Sequence, residues 1–100
     1  SDDWDKIFEI DVKGTMLMTA GQLLQAIYTG FSSHFTQPPN ETTFGPLLKF
    51  SHDLDEKGQA ALVLIDNAQE LNTDAVSMLL DMMSLATDNQ MRISALAMSS

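Results

Sequence analysis

At 100 residues with 44% hydrophobic side chains, the chain is long enough for one small globular unit and too apolar to be disordered over most of its length. Fourteen acidic residues against five basic ones give a net charge of -9, which excludes a nucleic-acid backbone or an anionic membrane surface as partner, because no basic patch exists to displace counterions. The absence of cysteine excludes disulfides and thiolate metal sites, and no run has the length of a membrane-spanning helix or the layout of a signal peptide.

Residues 1–5 are acidic and polar around one large apolar group, Trp4, and read as a lead-in that docks a single ring. Ile7, Phe8, Ile10 and Val12 interleave with Glu9 and Asp11, a mixture of alternation with β-branched and aromatic side chains that predicts a strand near 7–12. A loop or ragged strand end follows through Met18. Thr19 and Gln22 have the spacing of a capping box, and Leu23, Leu24, Ile27 and Tyr28, with Phe31 on the same side, predict a helix over 20–30 that stops near Gly30. Residues 32–42 contain Pro38, Pro39 and Asn40 without periodicity and form a loop. Phe44, Leu47, Leu48 and Leu54 recur at helical spacing over 44–57; Thr42 or Thr43 can cap, Pro46 fits only the first turn, and Gly58 is placed as the stop.

Ala61, Leu62, Val63, Leu64 and Ile65 then run without interruption into Asp66. Such a run predicts a strand near 61–66 buried on both faces, as in a parallel sheet. Asn72 is a good cap for a helix over 73–86, with Asp74 in the turn that the helix dipole favours. The apolar face of that helix is so wide that burial over most of its surface is expected. Residues 87–90 turn the chain, and 92–98 read as a further buried strand ending in Ser99 and Ser100. Strands separated by helices imply parallel pairing through right-handed crossovers, and so a three-layer α/β unit. The non-Met start and apolar end suggest a segment of a longer chain.

Asp66 is the main candidate for chemistry. An Asp at a strand end also simply begins turns, but the carboxyl ends of the strands are where open α/β sheets bind ligands. Arg92, the only arginine, falls at the opposite end of the sheet and reads as a solvated residue or an ion-pair partner. His34 and His52 have no second ligand at metal spacing. The seven methionines fit core positions better than an adaptable surface, and the acidic runs at 2–5 and 53–56 read as solvated faces without the alternation of a calcium loop. No nucleophile set of the Ser-His-Asp or Cys-His kind is present, nor a G-x-S-x-G turn.

LIDNAQELNTDAVSMLL, followed by LATDNQ and a strand, resembles the Walker B strand, its acidic tetrad, the helix behind it and the sensor-1 strand of AAA+ P-loop ATPases of the ExeA and MshM class and of DamX-related proteins. TAGQLLQAI resembles the helix after the second strand of that family. The resemblance implies that residues 1–100 are a single α/β domain or the central piece of a larger P-loop NTPase domain. It makes Asp66 the carboxylate that holds the Mg²⁺ of ATP, and puts Asn67 where the catalytic Glu stands. Gln69 completes the tetrad, and Ser99 is the sensor near the γ-phosphate. It further implies work in an envelope, pilus, secretion or cell-division assembly, in the cytoplasm or in a protein attached to the inner membrane. Two departures matter more than these matches. An amide at Asn67 cannot accept a proton from water, and no G-x-x-x-x-G-K-[ST] occurs, so this chain alone is expected neither to bind ATP tightly nor to hydrolyse it. In that family's sheet order the three strands are neighbours and the missing first strand would pair with the one ending at Met98, so that strand is left with an open apolar edge expected to pair with something, a protein partner or a second copy.

GTMLMTAGQLLQAI and ELNTDAVSMLL also resemble segments of STAS domains, non-catalytic interaction modules. That resemblance would make Thr73 the regulatory, phosphorylatable position. It requires Thr73 at an exposed helix start and an antiparallel first strand pair, and it is weakened by Asp74-Ala75 and by the long second helix.

Overall fold

A computed structural model describes residues 7–35 and 44–99. Three strands, β1 (Ile7–Lys13), β2 (Ala60–Asp66) and β3 (Ile93–Ala97), alternate with three helices, α1 (Ala20–Gly30), α2 (Gly45–Glu56) and α3 (Thr73–Asp88). All strand pairs are parallel and the sheet order is β1-β2-β3, the small α/β unit expected for a three-layer fold. Trp4 and the acidic residues before it, with Thr42, Thr43 and most of the proline-containing loop, lie outside the described residues. Within that loop residues 32–34 form one 3-10 turn. Among the described residues no helix is long and apolar enough to cross a membrane.

Local chemistry sets the helix boundaries. The capping box at α1 is complete: Thr19 Oγ1 accepts from Gln22 N at 3.0 Å and Gln22 Oε1 accepts from Thr19 N at 2.9 Å. α2 departs from expectation at its start, where Phe44 is the capping residue and contributes no side-chain bond. Pro46 sits in the first turn, where its missing N–H costs nothing. Gly58 ends the helix at φ 66°, a conformation that favours glycine.

Asn72 does more than cap α3. Its Oδ1 accepts from Ala75 N at 3.0 Å, while its amide donates to the carbonyls of Met18 at 2.7 Å and Met16 at 3.2 Å, fastening the loop after β1 to the helix start. Asn72→Ala should therefore cost more than an ordinary cap, about 2 kcal/mol in urea unfolding. Asn72→Asp, which keeps the acceptor and loses the donors, should fall between.

The two crossovers step across the sheet in the same direction, so right-handed connections bring their helices to one face. Phe8, Ile10 and Val12 of β1 share that face with Ala61, Val63 and Ile65 of β2 and with Ile93 and Ala95 of β3, and all belong to or pack against a single core with the three helices. Leu23, Leu24 and Ile27 of α1 seal the centre. Phe31 stacks on Phe50 of α2 at 5.2 Å and Phe35 meets the same ring at 5.4 Å. Gly30 lies so close to Ile10 that an added Cβ would stand 2.6 Å from its Cδ1. That close approach seats α1 on β1.

Three burial expectations are corrected. β2 is not buried on both faces: Ala61, Val63 and Ile65 are at most 3% exposed, whereas Leu62 and Leu64 are half-buried and lie outside the core cluster. The second helical layer of a three-layer unit is not among the described residues. β3 is an edge strand, with Ile93 buried and Leu96 exposed. α3 buries one stripe, Ala75, Leu79 and Met82, and leaves Val76, Leu80 and Met83 in solvent. A 3.6-residue repeat limits one packed side to about a third of the helix surface, so width of apolar content does not become burial without a neighbour.

Ser51, the one buried polar side chain among the described residues, accepts from Arg92 N at 2.7 Å and ties α2 to the start of β3. Arg92 Nε pairs with Asp55 at 2.9 Å on the surface, the ion-pair role expected for it. Ser51→Ala should lower stability by about 1–2 kcal/mol in thermal unfolding, because it strands a partly buried N–H. Arg92→Ala should change it by under about 1 kcal/mol, as exposed pairs do.

Candidate functional site

The carboxyl ends of all three strands meet at one rim of the sheet. Lys13 of β1 is the register partner of Asp66 of β2, so both project on the face away from the helices, in line with Leu62 and Leu64. Gly14 N donates to Asp66 O at 2.7 Å, and on the other side Met98 N donates to Ile65 O at 2.8 Å. The strand ends are thus stitched together at the position where Asp66 leaves the ladder.

Asn67 then turns the chain sharply. It adopts φ 56°, ψ 41°, a left-handed conformation that Asn tolerates better than other residues with a side chain. The turn lets Asp66 Oδ1 accept from Asn67 N at 3.0 Å. It also starts a 3-10 turn, Ala68–Glu70, in which Glu70 N donates to Asn67 O at 2.9 Å and Ala68 N donates to Met98 O at 2.8 Å. That last bond brings the segment carrying Asn67 against the segment carrying Ser99. Gly14 closes the other side, where an added Cβ would stand 2.8 Å from Asn67 O and 3.2 Å from Leu71.

Asp66 and Ser99 are exposed, Asn67 is half-buried, and Gln69 points to solvent on the 3-10 turn. Asp66, Asn67 and the Ser99 segment are therefore gathered at one rim, with Gln69 two residues beyond the sharp turn. Thr73 is exposed as the first residue of α3. Lys13 and Gly14 belong to the rim as well, although sequence reasoning treated them only as the start of a loop. The signal available was a basic residue and a glycine directly after a strand, the composition of a loop that lets another backbone approach.

A single exposed carboxylate such as that of Asp66 could hold Mg²⁺ only jointly with phosphate oxygens and water, the way that ion is usually bound at nucleotide sites. Among the described residues no group of three or more His, Cys, Asp or Glu side chains is arranged to hold a metal by itself. His52 contacts Glu56 at 3.3 Å on the exposed side of α2, far along the chain from the rim. No family model, curated protein or solved structure matches the chain.

Proposed function

We propose that this chain is the Walker B and sensor region of an AAA+-type nucleotide-binding core, unable to hydrolyse ATP by itself. The observation that carries the proposal is Asp66 at the carboxyl end of the central strand of a parallel sheet, followed by a left-handed Asn67 and adjoining the segment that ends in Ser99. In this reading Asp66 would hold the Mg²⁺ of ATP, which when bound would offset the negative charge of the phosphates. Asn67 orients a water through its amide but cannot take its proton. Ser99 would donate its hydroxyl to a phosphate of the nucleotide. Gln69 lies beside these groups as the last member of the tetrad. The phosphate cradle would come from residues outside this chain, in an assembly of the envelope, pilus, secretion or cell-division kind, in the cytoplasm or attached to the inner membrane. The open side of β3 would serve a protein partner or a second copy.

The test uses a chain extended upstream through a G-x-x-x-x-G-K-[ST] segment. Asp66→Ala should abolish Mg²⁺-dependent nucleotide binding, whereas Asp11→Ala, on an exposed site of β1, should leave it intact. Asn67→Glu should raise hydrolysis by about 100-fold, the scale of one positioned general base. Unchanged turnover in that variant would place Asn67 outside the catalytic position. The 100-residue chain should show no saturable binding of millimolar ATP in calorimetry.

A STAS-like reading is favoured by one observation, the exposed Thr73 at the start of α3. It is disfavoured by the parallel pairing of β1 with β2, since that family needs an antiparallel first pair.

A further inference from the structure

Resting on the nucleotide reading above, we infer that Lys13 is a further ligand-binding residue of the rim. It takes a phosphate oxygen, so that Asp66 and Lys13 together select a metal-bound di- or triphosphate. Lys13 ends β1 as the register partner of Asp66, which puts the two side chains on the same face of the sheet. Neighbouring strands run about 4.8 Å apart, so the two side chains leave the sheet side by side. Both residues are exposed.

The lysine is free of other partners. Among the described residues the ion pairs are His52 with Glu56 and Arg92 with Asp55, so Lys13 pairs neither with Asp66 nor with Asp11, two residues back on the same face. It is also the one basic residue at its end of the sheet among those described. Of the five basic residues, Lys6 lies outside the described residues. Lys57 precedes β2 and Arg92 precedes β3, both at the amino ends of the strands. Lys49 lies two residues before Ser51, whose hydroxyl accepts from Arg92 N, and belongs to that same end. In a chain of net charge -9, the positive charge at the rim therefore stands next to the carboxylate assigned to Mg²⁺.

That placement answers an electrostatic problem. A polyphosphate stays anionic even with Mg²⁺ bound, Asp66 adds a further negative charge, and the chain as a whole repels anions. A lysine ammonium binds phosphate as a point charge and offsets what the metal leaves over. Two explanations of Lys13 predict effects of opposite sign. If the lysine served only to neutralise Asp66, it would compete with Mg²⁺ for the carboxylate, and removing its charge would tighten metal-nucleotide binding. If it takes a phosphate oxygen, removing its charge loosens that binding, and only for ligands that carry phosphate.

The test uses the chain extended upstream through a G-x-x-x-x-G-K-[ST] segment and measures dissociation constants for Mg-ATP, Mg-ADP and adenosine by calorimetry. Lys13→Gln should weaken both nucleotides by about tenfold or more, the scale of one hydrogen bond to a charged group, and leave adenosine unchanged. Lys13→Arg, which keeps the charge, should stay within about threefold of the parent. Lys49→Gln removes the same charge from α2 and should change none of the three constants. Both lysines are exposed, so the thermal midpoints should match that of the parent. If Lys13→Gln bound Mg-ATP as tightly as the parent, or more tightly, while Asp66→Ala abolished the binding, the inference would fall and the nucleotide reading would stand. An equal loss in Lys49→Gln would also overturn the inference, since overall charge would then explain the effect. An extended chain that folds and binds no nucleotide would overturn both.

Discussion

Ile65→Ala should cost about 3–4 kcal/mol in urea unfolding, while Leu64→Ala, one residue earlier in the same strand, should cost about 1 kcal/mol. Both changes delete methylene and methyl groups from the central strand, and the backbone ladder is the same for both. What differs is the face. Ile65 is fully buried within the helix-covered core, and truncation leaves a cavity there that packed neighbours cannot fill. Leu64 looks away from the core, is only half-buried, and leaves a more exposed patch when removed. The expected gap is a large fraction of the stability of a domain this small. Equal costs would show that a second layer covers Leu62 and Leu64 in solution, and a large loss at Leu64 that grows with protein concentration would identify that layer as another chain.

The same contrast explains what the sequence made legible. Element identity came through because each segment carried its own punctuation. Thr19 and Gln22 capped α1, Asn72 capped α3 and Gly58 stopped α2, all of them interactions within a few residues along the chain. The uninterrupted run into Asp66 located the central strand and the candidate site together. Burial was harder to read because it depends on neighbours that a linear pattern does not name. Leu62 and Leu64 looked like core and face away from it; Val76, Leu80 and Met83 looked like core and are left in solvent. Phe44 in place of a threonine cap shows that packing can begin a helix without a side-chain bond, since its half-buried ring rests against the core. At the rim, Asp66 and Asn67 were visible as a strand end. Gly14 was not, because its role is set by a backbone more than fifty residues away.

Gly14→Val should be the most damaging single change at the rim, lowering stability by about 3 kcal/mol, at the upper end of ordinary overpacking. The cause is steric and local. The first added carbon already falls 2.8 Å from Asn67 O, a backbone atom fixed by the left-handed turn, and 3.2 Å from Leu71. The 2.7 Å bond from Gly14 N to Asp66 O holds the two segments together, so neither can withdraw without breaking the ladder at its end. Relief must come from the turn itself, which moves Asp66 and releases Ala68 from Met98 O. Gly14→Val should therefore speed amide hydrogen exchange at Ala68 and Met98 while leaving exchange in α2 tied only to global stability. Asn67→Val should approach the loss seen at Gly14, since a β-branched side chain fits a left-handed φ poorly. If Gly14→Val were tolerated with unchanged exchange at Ala68, the close packing between the β1 and β2 strand ends would not be what sets the position of Asp66.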